Sequence, residues 1–305
     1  MLPLFVPWVL FILLLLGAYY LIRKRWLIAI IVLLACVTIN WYYKCFALQL
    51  WCDDSISKCS ISIMCYNIDG MNGEIREKAP RIFDQISRYN PDVVFITEYS
   101  EQDVLALDTL LRKQYPYSTD NLHNEGSYFY GKYPLSQAQR LKDTSSGEIA
   151  GVFLCDTYVM DDTIRLIGCH FCSNNYDSDH IRVSPDSLRN NYEVISYIKN
   201  IKRASENRHK EAQTAVRMIP VGCQAILMGD LNDICGSKAL QVLESAGLKD
   251  AWWEGGYGYG ATIHNPFPYR IDHIMHTKEL KLKKIKIVES EGVSDHDALY
   301  AVFEN

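Results

Sequence analysis

Residues 226–236, ILMGDLNDICG, set Asp230, Asn232 and Asp233 directly after an apolar run. The same residue types return at the bounds of other apolar runs: Asn67 and Asp69, then Glu98, then His170, with Asp272 and His273 in RIDHI and Asp295-His296 ahead of the last run. Acids, amides and imidazoles collected from several strand ends are the materials of a phosphate-handling site. Each has a plainer reading when taken singly. Gly, Asp and Asn end strands and build turns, which covers 226–236 and Asn67-Ile-Asp69. Glu98 reads as a helix-capping acid, His170 as a packed core histidine, and residues 294–297 as a polar loop.

The elements that must position these residues alternate from Ser60 onward. SISIMCY (60–66) reads as a strand, PRIFDQISRY (80–89) as a helix with Pro80 in its first turn, and DVVFIT (92–97) as a buried strand. A helix lies within 101–114. SYFYG (127–131), AGVFLCDTYVM (150–160) and TIRLIGCHF (163–171) follow as strands and read as an antiparallel meander. Ser184-Pro185-Asp186 opens a helical segment reaching about Met218, with a side-chain cap and Pro where no N–H is needed. QAILMGDL (224–231) is a strand, SKALQVLESAG (237–247) a helix stopped by Gly247, and 270–276, 281–288 and 298–303 three further strands. Continuously apolar strands imply sheets covered on both faces.

Ahead of this lies a region of another kind. Residues 1–22 carry no charge and are long enough as a helix to cross the ~30 Å hydrocarbon layer. Residues 26–43 form a second apolar run, separated from the first by Arg23-Lys24-Arg25 alone, with Trp and Tyr at its ends. Together they read as a transmembrane helical hairpin (1–45), followed by a connector (46–59) and one domain (60–305). The basic triplet belongs on the cytoplasmic side, which puts the domain outside the cytoplasm; Lys44 opposes this slightly. A cleaved signal peptide is the alternative, against which stand the lack of a basic segment before the first run and of a small-residue cleavage site after it.

The chain of 305 residues has a formal charge of −5. Four of its 31 basic residues and none of its 36 acids lie in the hairpin region, so residues 53–305 carry −9. That balance argues against general nucleic-acid affinity, which rests on Lys and Arg neutralising phosphates, and clustered carboxylates suit a divalent cation instead. Of the ten cysteines, Cys52 and Cys59 are the expected disulfide pair for a domain outside the cytoplasm, while Cys65, Cys155 and Cys169 read as small apolar strand residues. Nothing in the sequence calls for a protein partner.

In order, CYNIDGMNG, PDVVFITEYS, LIGCHF, ILMGDLND, RIDHIM and GVSDHDALYAVFE resemble the motif series of the endonuclease/exonuclease/phosphatase superfamily. This is the fold of DNase I, apurinic endonucleases, neutral sphingomyelinases and inositol-polyphosphate 5-phosphatases. GDxN and SDH are weak signals alone; six motifs in the right order are a strong one. The resemblance covers residues 60–305 and implies an α/β fold, a four-layered α/β/β/α sandwich with its site at one edge. It implies a hydrolase of phosphodiesters or phosphomonoesters that uses Mg²⁺, with Mn²⁺ able to substitute.

By the same resemblance, Glu98 is the central metal ligand, with Asn67, Asp69 and Asp295 contributing directly or through water. Asp230 orients or deprotonates the attacking water. Asn232 positions phosphate and water, His296 donates to a nonbridging oxygen with its tautomer fixed by Asp272, and His170 stabilises the same oxyanion. Arg189 is a candidate phosphate-side arginine, against the reading of an exposed helix residue. Asp233, His273 and Asp297 have no firm role and read as solvated or capping; the charges of 199–217 read as a solvated face. Loops between the motifs set the substrate, which leaves nucleic acid and lipid headgroups both open. DAWWEGGYGYG (250–260) reads as a substrate or membrane loop, or as a packed Trp pair before a flexible hairpin. A degenerate binding domain is the non-enzyme alternative, against which no motif residue is missing.

Overall fold

The computed structural model describes residues 2–49, 60–69, 75–99, 104–119, 126–142, 149–159, 162–174, 191–264 and 267–304. Cys52, Cys59, Ser184-Pro185-Asp186 and Arg189 lie outside them. Two apolar helices come first, α1 (Val6–Ile22) and α2 (Trp26–Tyr43), then β1 (Ala47–Leu48). Next come β2 (Ser60–Asn67), α3 (Ile75–Tyr89), β3 (Val93–Thr97), α4 (Val104–Leu111), β4 (Tyr117–Ser118) and β5 (Ser127–Gly131). The second half holds β6 (Gln139–Lys142), β7 (Ile149–Val159), β8 (Asp162–His170), α5 (Asn191–Arg217), β9 (Ala225–Asp230) and α6 (Lys238–Ser245). The chain closes with β10 (Lys249–Asp250), α7 (Ala251–Gly255), β11 (Tyr257–Gly258), β12 (Asp272–His276), β13 (Lys281–Val288) and β14 (Ala298–Glu304).

Two six-stranded sheets form, ordered β13-β14-β2-β3-β5-β4 and β10-β12-β9-β8-β7-β6. The pairs β2·β3 and β8·β9 are parallel. Strand alternation divides the apolar residues between two interfaces. Ile61, Ile63 and Cys65 of β2 face the other sheet and meet Phe153, Leu166 and Met228, whereas Met64 and Tyr66 face Ile82, Ile86 and Leu107 of the helices. On the far side, Ile167, Leu227 and Met275 pack on Ala212, Ala215 and Leu240 of α5 and α6. The result is the α/β/β/α sandwich, and it explains why these strands lack a polar face.

Two local expectations fail and a third holds in part. The meander does not form, because β5 leaves it to pair antiparallel with β3 in the first sheet, where Phe129 packs 4.6 Å from Phe95. Its place beside β7 is taken by β6. Helix α3 starts at Ile75, so Pro80 sits inside it rather than in its first turn. In the stretch 250–260 the Trp-packing alternative holds for Trp252, which joins the core, but no flexible hairpin follows: Asp250 Oδ1 accepts from the Trp253 N–H at 3.1 Å to cap α7, and β11 pairs with β1.

That last pairing draws the start of the connector onto the domain. The apolar helices follow, since the stretches Pro3–Ile22 and Trp26–Tyr43 are long and apolar enough to cross a membrane yet touch the domain at their ends. Trp8 meets Phe267 edge-on at 6.1 Å, Trp41 meets Trp253 at 6.0 Å, and Lys44 bridges Glu244 at 3.0 Å. Cys45 and Cys235 share a buried cluster with Val6 and Leu10, and Cys235 Sγ accepts from Arg270 Nη2 at 2.8 Å. The hydrogen bond from Cys45 lowers the Cys235 thiol, burial opposes it, and Arg270 adds to the lowering. The neighbouring Cys235 and burial raise the Cys45 thiol, so Cys235 is the more reactive of the two once an oxidant is supplied. Treating the full chain with diamide, which takes up the two electrons and two protons, should link Cys45 to Cys235 in tryptic peptide maps. Peptide maps lacking that crosslink would mean that the helices do not dock where described.

Candidate active site

The site is a row across one sheet edge. Register places His170 of β8 beside Asp230 of β9, and Asp230 opposite Asp272 of β12. Parallel pairing sets Asn67, the last residue of β2, beside Thr97, so Glu98 follows at the same edge of the facing sheet. Glu98, Asn232 and Asp69 all have positive φ (58°, 49° and 46°), a conformation sparse for residues with side chains and concentrated at functional sites. Gly229 meets a related demand: φ is 131° there, and a Cβ would collide with the Cys169 carbonyl oxygen.

Hydrogen bonds join the two sheets through this edge. Asn67 Nδ2 donates to Glu98 Oε1 at 3.0 Å and to Asp230 Oδ2 at 3.1 Å. Asn232 donates from its backbone N–H to Asp230 Oδ1 (2.7 Å) and from Nδ2 to Asp230 Oδ2 (3.2 Å) and the Phe171 carbonyl (3.0 Å). His170 Nε2 lies 3.3 Å from Glu98 Oε1, and His296 Nδ1 lies 2.8 Å from Asp272 Oδ2. The other nitrogen of His296 faces Asp230 Oδ2 across 3.9 Å. Ser294 Oγ donates to the Asn67 carbonyl at 2.8 Å and accepts from the His296 N–H at 3.0 Å, which holds the SDH loop against β2.

Burial and neighbouring charge set the protonation states. Burial raises Asp230 and the Asp272 charge raises it further, to about 6, against the pull of His296 and His170. Burial alone would lower His296, yet Asp272 beside it lifts it to about 10. Glu98 falls below its ordinary value, because hydrogen bonds from His170 and Asn67 outweigh its burial.

The ligand atoms of Glu98, His170 and Asp230 lie within 4.8 Å of one another, as do those of Asp230, Asp272 and His296. Such a donor set fits a divalent cation between Glu98 and Asp230. Asp69 and Asp295 enter neither group; Asp295 stands beside the site, 4.0 Å from His296 Nε2. As oriented, Asn67 offers Nδ2 to the carboxylates while its Oδ1 accepts the Asp69 N–H at 3.1 Å, so coordination through oxygen requires the amide to turn. Asn232 likewise spends Nδ2 on protein acceptors.

Several supporting residues were misread or missed in the sequence. Asp233, His273 and Asp297 are buried, which overturns the solvated reading, while the capping one holds where Asp233 Oδ1 accepts the Ile234 N–H and Asp297 Oδ1 the Ser290 N–H. Asp233 Oδ2 takes Arg208 Nε at 3.2 Å, and Arg208 also holds the Cys172 carbonyl and Asn174. Glu211 accepts the N–H groups of Gly151 and Cys172, both at 2.9 Å, which fixes the strand end carrying His170. Both side chains belong to the stretch read as a solvated face. The available signal was helical spacing, since Arg208 and Glu211 share a stripe with Ala204, Ala212 and Ala215.

The family model for the endonuclease/exonuclease/phosphatase family matches residues 64–296. The chain belongs to that family. It is a metal-dependent phosphoester hydrolase. Similar folds include a humanized D. rerio TDP2 (17% identity, TM-score 0.62, covering 81% of this chain and 100% of that one). A family protein from Leptotrichia buccalis is comparable (18%, 0.58, 80% and 100%), as is beta toxin from Staphylococcus aureus (14%, 0.52, 79% and 99%). No curated protein sequence matches this hydrolase.

Beneath the site lies a buried ionic knot. Arg270 Nη1 donates to Asp250 Oδ2 at 2.7 Å, and His273 Nδ1 lies 3.1 Å from the same oxygen. Burial would raise the Asp250 carboxyl, but Arg270 and His273 hold it well below the usual range. A depressed carboxyl stabilises the fold above the unfolded value near 4, and that contribution is lost as pH falls below it. Asp250→Asn keeps shape and cap but removes the charge, so it should cost about 3 to 5 kcal/mol at pH 7. Thermal unfolding in detergent should show the gap to wild type narrowing below about pH 4. A gap independent of pH would contradict the ionic role.

Proposed function

We propose that this hydrolase is a membrane-anchored phosphodiesterase that attacks phosphorus in line with water, using Mg²⁺ or Mn²⁺. The observation that carries the reading is the convergence of Glu98, Asp230, Asn232, His170 and His296 from both sheets at one edge. Glu98 is the proposed principal metal ligand, with Asp69, Asp295 and a turned Asn67 within its loops. The cation would supply charge neutralisation on the phosphoryl oxygens. Asp230, raised toward neutrality, accepts the proton of the attacking water. His296 keeps its proton through Asp272 and donates from Nε2 to a nonbridging oxygen; His170 faces the same oxygen from the Glu98 side. Asn232 aligns Asp230 and reaches phosphate when its amide changes partners.

The two apolar helices serve as the anchor, with Arg23-Lys24-Arg25 in the cytoplasm and the catalytic domain outside it. Phosphodiester substrates have a precedent among similar folds, one of which is a D. rerio TDP2 complexed with single-strand DNA product (16% identity, TM-score 0.61).

Hydrolysis of bis-p-nitrophenyl phosphate by the full chain in detergent should require Mg²⁺ or Mn²⁺ and stop with EDTA. Asp230→Ala and His296→Ala should each lower kcat by about 10² to 10⁴-fold. Undiminished turnover in both variants would place the chemistry elsewhere, and no metal-dependent turnover on this ester, DNA, RNA or lipid would leave a binding domain. A reporter fused after Asn305 should behave as extracytoplasmic; a cytoplasmic signal would reverse the proposed topology.

A further inference from the structure

The catalytic edge opens into a cleft of about 900 Å³ whose walls come from two sources. Glu98, Asp230, Asn232 and His296 line one part, and Pro3, Leu4, Tyr42 and Tyr43 of the apolar helices line another. These four come from the start of the first apolar stretch and the end of the second. At about 1.5 Å per residue, a 20-residue stretch matches the hydrocarbon thickness, so both ends lie at the same bilayer face.

Contact with the catalytic loop is direct. Gly236, six residues beyond Asp230, has φ of 75°, and a Cβ there would strike the ring of Tyr43. The domain surface beside the helices is apolar as well. Phe267, which reaches Trp8, is 53% exposed, and the paired residues Leu48 and Tyr257 of the β1·β11 ribbon are 71% and 67% exposed. Aromatic and aliphatic side chains around a helix end fit the headgroup zone of a bilayer.

We propose that the phosphodiester cleaved here belongs to a membrane lipid, whose headgroup phosphate reaches Asp230 and whose acyl end leaves the cleft past Leu4 and Tyr42. This rests on the hydrolase reading above. Water adds its oxygen to phosphorus and passes a proton to Asp230; the ester P–O bond breaks, and solvent protonates the departing alcohol. The products are an alcohol and a phosphomonoester, one of which keeps the acyl chains. A nucleic-acid substrate fits less well. Among the described residues lining the cleft the cations besides His296 are Arg208 and Lys238, and Arg208 is committed to Asp233, Cys172 and Asn174. Backbone tracking by nucleic acid needs several cations free for phosphate.

The test uses the full chain reconstituted in vesicles of phosphatidylcholine, phosphatidylglycerol and sphingomyelin, with products read by mass spectrometry. Parallel arms offer bis-p-nitrophenyl phosphate, glycerophosphocholine and a single-stranded DNA oligonucleotide at equal phosphate concentration. Turnover of at least one vesicle lipid should exceed that of glycerophosphocholine and DNA by about tenfold or more, because acyl contacts contribute to the transition state. Leu4→Glu should lower the ratio of lipid to bis-p-nitrophenyl phosphate turnover by about tenfold. Cleavage of bis-p-nitrophenyl phosphate or DNA without preferential lipid cleavage overturns this proposal and leaves the hydrolase reading standing. Failure on every substrate overturns both.

Discussion

Everything at this site turns on keeping one buried carboxylate charged. Asp230 is 1% exposed and faces Asp272 across a strand pair, an arrangement that burial and like charge both oppose. It is tolerated because two imidazoles and two amides converge on it. Those partners must come from separate strands, since no single strand can surround a side chain. The parallel β8·β9 pair, the antiparallel β9·β12 pair and the meeting of the two sheets are therefore all conditions for Asp230. The positive φ of Glu98 and Asn232 belongs to the same demand, because an extended backbone would carry those side chains past the site.

Around this centre the supporting residues form a shell that is itself ionic. Arg208 with Asp233, Glu211 with two backbone N–H groups, and Arg270 with Asp250 fix the loops after β8 and β9 and the start of β12. Buried charges of this kind are costly unless paired, and each here is paired. They brace residues 230–236, which also touch Tyr43 and share a cluster with Cys45. The apolar helices and the candidate site thus share one loop, residues 230–236.

Much of this was legible in the sequence. Polar residues closing apolar runs identified every strand end that contributes to the cluster, and six ordered motifs carried the fold. The layers followed from strands without a polar face. Pairing choices did not follow, because β5 is buried along its whole length and so suits the interior of either sheet. Buried ions were hidden for a related reason: Arg208, Glu211 and Arg270 look like surface charges until their partners, 20 to 60 residues away, are brought beside them. The Tyr43 contact at Gly236 was equally invisible, as it joins two segments nearly 200 residues apart.

The central claim is that Glu98 holds a catalytic cation at this edge, beside the proton acceptor Asp230. It is tested most directly by titrating Mn²⁺ into the full chain in detergent and following free ion by EPR, for wild type and Glu98→Gln. The account predicts saturable binding in wild type, displaced by Mg²⁺ and lost in the variant while the fold is retained by circular dichroism. Equal Mn²⁺ binding in the two proteins would contradict it.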